Sequence, residues 1–214
     1  MSESKPLEAL RQSISLERLS KYLAASHGNS ERAISLYEHN MRLSEAFYTP
    51  LQCLEVCLRN KMHDQLTDRF APNWYDLPAT GLLSAAGVSV AGAIRELRQS
   101  KKQVTPGAVV AELSFGTWVS LLGPVYDATH WRTTLTKAFR LNGKGMKRSV
   151  VHGRMNALRR FRNRVAHHEP IFQKDLPAVH AELLEAIEWL CPATAHWAGG
   201  LSRARAVIAS GAGA

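Results

Sequence analysis

Three cysteines in 214 residues are too few, and odd in number, for a disulfide framework. Cys53 and Cys57 lie four apart, on one face of any helix, and read as small core residues. Zinc would require a further pair at matching spacing, and Cys191 stands alone. Long apolar runs are also missing. The most apolar stretch, residues 108–126, is broken by Glu112, Gly116, Gly123 and Pro124, which excludes a membrane span there. Residues 1–21 are polar with no apolar stretch of signal-peptide type, so the expectation is a cytoplasmic protein without a membrane partner. Sustained alternating runs, hairpin signals and internal repeats are absent, which argues against a sheet fold or a solenoid. No Gly-rich phosphate loop exists, because Gly143-Lys-Gly145 is too short, and no serine or cysteine hydrolase signal is present. No cofactor or metal is expected.

Acids are scarce as well: 18 Asp and Glu face 27 Lys and Arg, a net charge of +9. The imbalance is local. Residues 132–174 hold twelve basic residues (Arg132, Lys137, Arg140, Lys144, Lys147, Arg148, Arg154, Arg159, Arg160, Arg162, Arg164 and Lys174) and one acid, Glu169. That segment carries +11 and the remainder −2. An anionic partner, RNA first, is the natural reading, with a solvated helix face as the plain alternative.

A hydrophobic content of 45% suits a globular chain. The apolar spacing is helical nearly throughout, which predicts an all-α bundle over residues 15–200, with flexible ends at 1–14 and 201–214. Leu16, Leu19, Tyr22 and Leu23 share a face behind Ser15 as N-cap, and Gly28-Asn29 ends that helix. Ser30 caps the next, on which Ile34, Tyr37, Met41, Ser44 and Tyr48 continue one face. Thr49-Pro50 is either a new helix start or a kink in one long helix. Leu51, Leu54, Leu58, Met62 and Leu66 form the clearest stripe. Further helices are expected from Leu83 to Leu97, from Pro106 through Val109, Leu113 and Leu121, over 146–166, and from Asp175 to Leu190. Residues 142–145 read as a turn.

The informative stretch is Arg159-Arg-Phe-Arg-Asn-Arg-Val-Ala-His-His-Glu-Pro170. Pro170 disfavours helical geometry at Glu169, so the basic helix should end near His168. His167 and His168 then occupy the last turn, where the helix dipole favours an imidazolium. Asn163 lies four residues before His167, and Arg162 sits one step round the helix. A fixed cation, an amide and a titratable group suit RNA phosphodiester cleavage. A base deprotonates the ribose 2′-OH, the cation stabilises the phosphorane oxygens, and an acid protonates the leaving 5′-oxygen. That chemistry needs no metal and excludes DNA, which lacks the internal nucleophile.

Arg162-Asn-Arg-Val-Ala-His167 resembles the Arg-polar-x-x-x-His motif of HEPN (higher eukaryotes and prokaryotes nucleotide-binding) domains. With His168-Glu169-Pro170 it is similar to the Abi-like, abortive-infection family of bacterial HEPN proteins. Leu54-Glu-Val-Cys-Leu-Arg-Asn60 resembles that family's Glu-x-x-x-Arg-Asn helix, and Glu112-Leu-Ser-Phe-Gly-Thr-Trp118 its central signature. Glu17-Arg-Leu19 and Leu36-Tyr-Glu-His-Asn40 also fit. The resemblance spans roughly residues 15–190. It implies a HEPN-type helical bundle with additional helices, metal-independent endoribonuclease activity in many members, and frequent homodimers with two active helices facing each other. It also implies a setting in phage defence or toxin–antitoxin control, with an antitoxin or regulatory RNA as a further partner. Some members bind nucleic acid or partners without cleaving. The catalytic roles carry over to Arg162, Asn163 and His167.

Glu55, Arg59 and His63 repeat every four residues; they form either an exposed ion-pair row or a second wall of the cleft. Glu55, Arg59, Asn60, His168 and Glu169 are the supporting candidates, with Glu55 orienting Arg59 or a catalytic histidine. Lys147, Arg148, Arg154, Arg159, Arg160 and Arg164 are the expected RNA-facing cations. His167, His168 and Glu169 point apart on a helix end and make a poor metal site. Phe115 and Trp118 could stack on a base, but a packing role fits their signature better, with Gly116 admitting close helix approach. His152 reads as a surface histidine.

Overall fold

The computed structural model describes residues 5–211. Among the described residues ten α-helices follow one another: α1 Lys5–Ile14, α2 Leu16–Ala25, α3 Ser30–Arg69, α4 Ser84–Gln99, α5 Pro106–Glu112, α6 Phe115–Ser120, α7 Arg148–Ala166, α8 Leu176–Glu188, α9 Pro192–Leu201 and α10 Ala204–Ser210. The fold is all-α, as the apolar spacing implies. Its spine is α3, whose 40 residues rise about 60 Å and touch α2 and every helix from α5 to α10. Pro50 lies inside this helix, so of the two alternatives for Thr49-Pro50 the single long helix holds and the new helix start does not. Leu51, Leu54, Leu58, Met62 and Leu66 are all buried on it. From α7, Val151, Met155, Leu158, Phe161 and Val165 meet the same core, and Phe47 and Phe161 join the two helices edge to face at 5.0 Å.

Several expectations are corrected. On the first half of α3 the buried residues include Ile34, Leu43, Ala46 and Phe47, whereas Met41 and Tyr48 are exposed. The stripe Tyr37, Met41, Ser44 and Tyr48 instead lines an open cavity of about 480 Å³ shared with Val165 and His168 of the α7 region. The cap of α3 is Asn29, one residue before Ser30, its side chain accepting the Arg32 N–H at 2.9 Å. The helix begun at Pro106 stops at Glu112, because Ser114 turns extended and caps α6 by accepting the Thr117 N–H. Cys191 and Pro192 likewise close off α8 and open α9.

Asn142 and Gly143 both adopt positive φ and join a minimal hairpin, β1 Arg140–Leu141 with β2 Lys144–Gly145. Asn-Gly is the dipeptide for such a turn, so a hairpin signal was present after all. The two ends expected to be flexible carry helices among the described residues. Lys5–Ile14 is helical, and α10 packs on α3 and α8 with Ala204 fully buried. Residues 1–4 and 212–214 of those segments lie outside the described residues.

Candidate active site at the end of the basic helix

The chain leaves α7 through a Schellman turn. The His168 N–H donates to the Val165 carbonyl at 3.1 Å and the Glu169 N–H to the Arg164 carbonyl at 2.8 Å. His168 holds φ +55° at the position where glycine is usual, at a cost of about 1–2 kcal/mol. Such an outlier persists only where its surroundings fix it. Here the surroundings come from three helices. Arg18 of α2 donates one guanidinium nitrogen to the His168 carbonyl at 2.8 Å and to the His167 carbonyl at 3.4 Å. Asn40 of α3, only 3% exposed, accepts the N–H groups of Ile171 and Phe172 at 2.7 and 3.2 Å. Arg164 of α7 itself donates to the Pro170 carbonyl and pairs with Glu169 at 3.5 Å. The early segments around Arg18 and Asn40 thus act as braces for the end of α7. Both stood out in the sequence, but nothing there gave them this role.

Between α3 and α7 lies a cleft of about 590 Å³, lined by Glu55, Arg59, Arg162, Ala166 and His168 with Tyr48 among its neighbours. Glu55 Oε2 meets Arg162 Nε at 3.3 Å across it. Glu55 therefore orients Arg162, not Arg59 or a histidine. Arg59 reaches the Ala111 carbonyl only at 3.5 Å, and its Nε is buried without a partner. Asn60 does not face the cleft; it lines a separate cavity with Cys53, Cys57 and Cys191. Glu169 is engaged by Arg164. Asn163 and His167 share the adjoining face of α7, with the Asn163 carbonyl accepting the His167 N–H at 2.9 Å. The His167 side chain is exposed, and neither residue lines the cleft. His63 is structural: its Nδ1 accepts the Trp74 indole N–H at 2.9 Å, and burial holds its pKa below the ordinary histidine value. Burial lowers His39, His130, His152 and His180 in the same way.

The expected RNA-facing cations divide. Arg148 binds Asp127 at 3.1 Å and the Leu122 carbonyl at 3.0 Å. Arg154 binds Glu185 at 2.7 Å and lies over the Trp189 ring, clamping α7 to α8. Arg159 donates two hydrogen bonds to Asn156 of its own helix, its stem close to Gly116. These side chains and Arg164 are held by the protein, which leaves Lys147 and Arg160 exposed. Phe115 and Trp118 are buried, Trp118 edge to face with Trp74 at 5.8 Å, so they pack the core and cannot stack on a base. Among the described residues no helix is long and apolar enough to cross a membrane. No group of three or more His, Cys, Asp or Glu among them could hold a metal ion.

Family comparison bears on the segment that carries α7. Residues 88–173 match the family model described as Abi-like protein. Over this segment the chain is similar to that family. No curated protein and no solved structure gives a significant match. The matched segment runs from within α4 to just beyond the loop held by Asn40, so it contains Arg162, Asn163, His167 and His168. Glu55, Arg18 and Asn40 lie outside it, contributed by α2 and α3.

Proposed function

We propose that this protein is a metal-independent endoribonuclease of HEPN type, acting in phage defence or toxin–antitoxin control. The observation that carries the reading is the Glu55–Arg162 pair, which joins the Glu-x-x-x-Arg-Asn helix to the Arg-Asn-x-x-x-His helix across one cleft. Two segments 107 residues apart in sequence are thereby aimed at the same place. The Abi-like match supports the defence setting. Arg162 binds the scissile phosphate, with Glu55 fixing its fork toward the cleft. His167 serves as general acid or base, and Asn163 positions it or the phosphate. His168 lines the cleft and supplies a second imidazole at its rim. His167 stands beside the cleft rather than in it, so a second copy of the chain, set with its α7 facing the first, completes the centre. RNA is the substrate, and Lys147 and Arg160 are the cations free to meet its backbone.

A second reading is a non-catalytic RNA-binding or scaffold protein. It is favoured by the position of His167 outside the cleft lining. Incubating the protein with mixed RNA in EDTA separates the two. The enzyme yields fragments with 2′,3′-cyclic phosphate ends, lost in His167→Ala. Equal cleavage by both proteins overturns the proposal. Absence of cleavage, with RNA affinity that falls steeply with salt, supports the binding protein instead.

A further inference from the structure

All three cysteines of the chain meet in one place. Cys53 and Cys57 of α3 and Cys191 at the start of α9 line a single cavity of about 530 Å³, although Cys57 and Cys191 stand 134 residues apart. Each is a free thiol, Cys57 buried and the other two half-buried. The exposed Trp197 and Leu201 also line it, and Thr49, Gln52, Asn60, Lys61 and Thr194 make up its polar lining. We propose that Cys191 and Cys57 form an oxidisable thiol pair, a modification site at which a small peroxide cross-links α9 to α3.

Their environments assign different roles to the two sulfurs. Cys191 occupies the N-cap position of α9, a ten-residue helix. It makes no close capping hydrogen bond, but the Thr194 side chain and the amides of Thr194 and Ala193 stand near enough to favour its thiolate, and Lys61 adds to this. The thiol is accordingly held below the ordinary range. Cys57 is the opposite case: burial, with the neighbouring Cys191, pushes it up to about 11, although the same Thr194 side chain opposes the rise. Both sulfurs line the same cavity, and the Thr194 side chain interacts with each of them.

The chemistry balances with peroxide as the named oxidant. The Cys191 thiolate attacks one peroxide oxygen. The S–O bond forms, the O–O bond breaks, and hydroxide leaves and takes up a proton as water. Sulfur is oxidised to the sulfenic acid and peroxide is reduced. The Cys57 sulfur then displaces water from the sulfenic sulfur, losing its own proton as the S–S bond forms. This site is independent of the ribonuclease reading.

The test treats the full chain with graded hydrogen peroxide, alkylates the remaining thiols, and digests it without reduction. Trypsin with cleavage at Glu55 separates Cys53 from Cys57, so mass spectrometry resolves the pairing. The expected product is a Cys57–Cys191 peptide, reversed by dithiothreitol, unchanged in Cys53→Ser and formed at least about tenfold faster than glutathione is oxidised. In Cys57→Ala the Cys191 sulfenic acid should persist long enough for dimedone to trap it. Oxidation no faster than that of glutathione, a bond through Cys53, or a cross-link only between chains overturns the proposal. The mapping on the unmutated protein stands whether or not the variants fold.

Discussion

Both halves of α7 carry arginines and no acid, two in the first half and four in the second, and they do different work. In the first half, Arg148 and Arg154 are 18% and 24% exposed, and each is satisfied by a carboxylate, a backbone carbonyl and, for Arg154, an indole face. In the second half, Arg162 is 39% exposed and meets a single carboxylate across an open cleft. Arginine density therefore does not mark a ligand surface by itself. What distinguishes Arg162 is that its one partner leaves part of its donor fork turned to a cavity. The backbone repeats the contrast: the first half is ordinary helix, while the second ends in a left-handed histidine pinned by Arg18 and followed by a loop tied to Asn40.

The largest expected effect falls on the braces. Asn40→Ala leaves the Ile171 and Phe172 amides without their acceptor and should lower stability by about 2–4 kcal/mol, read from urea unfolding. Next comes the clamp in the first half. Arg154→Ala should cost about 1–3 kcal/mol in the same experiment, whereas Arg160→Ala, exposed on the same helix, should stay within about 0.5 kcal/mol. A similar loss in both would erase the distinction between held and free cations. The smallest effect is also the most telling. His168→Gly relieves the left-handed backbone and should raise stability by about 0.5–1 kcal/mol. If His168 serves the cleft, cleavage falls while the melting temperature rises. A gain in both would make the histidine an accident of the turn.

Much of the fold was legible because its signals are local and periodic. Leu51 to Leu66 and Val151 to Val165 each repeat at three and four residues, and the core follows those stripes. Legibility failed where one residue has two uses. Met41 and Tyr48 match the helical period as well as any core residue, yet they face a cavity beside His168. Pro50 can open a helix or be carried within one, and only packing along the whole of α3 decides. At the cleft, the placing of the histidines at the end of α7 was readable from Pro170, whereas Arg162 was singled out by the resemblance of its segment to a family motif. Glu55 was visible too, but its partner is set by how α3 crosses α7, a long-range fact that no local pattern encodes. The same holds for Arg18, whose guanidinium reaches carbonyls 149 and 150 residues away. The charge excess misled in proportion: Asp127, Glu182 and Glu185, outside the basic segment, neutralise Arg132, Arg148 and Arg154.

The central claim is that Arg162 acts on a substrate phosphate while the arginines of the first half serve the fold. Single-turnover RNA cleavage in EDTA, comparing Arg162→Lys with Arg154→Lys, tests it most directly. Lysine keeps the charge and loses the planar fork. Arg162→Lys should slow cleavage by about 100-fold with unchanged unfolding, and Arg154→Lys should lower stability and leave the rate of the folded protein intact. Equal rates in the two variants would contradict the claim.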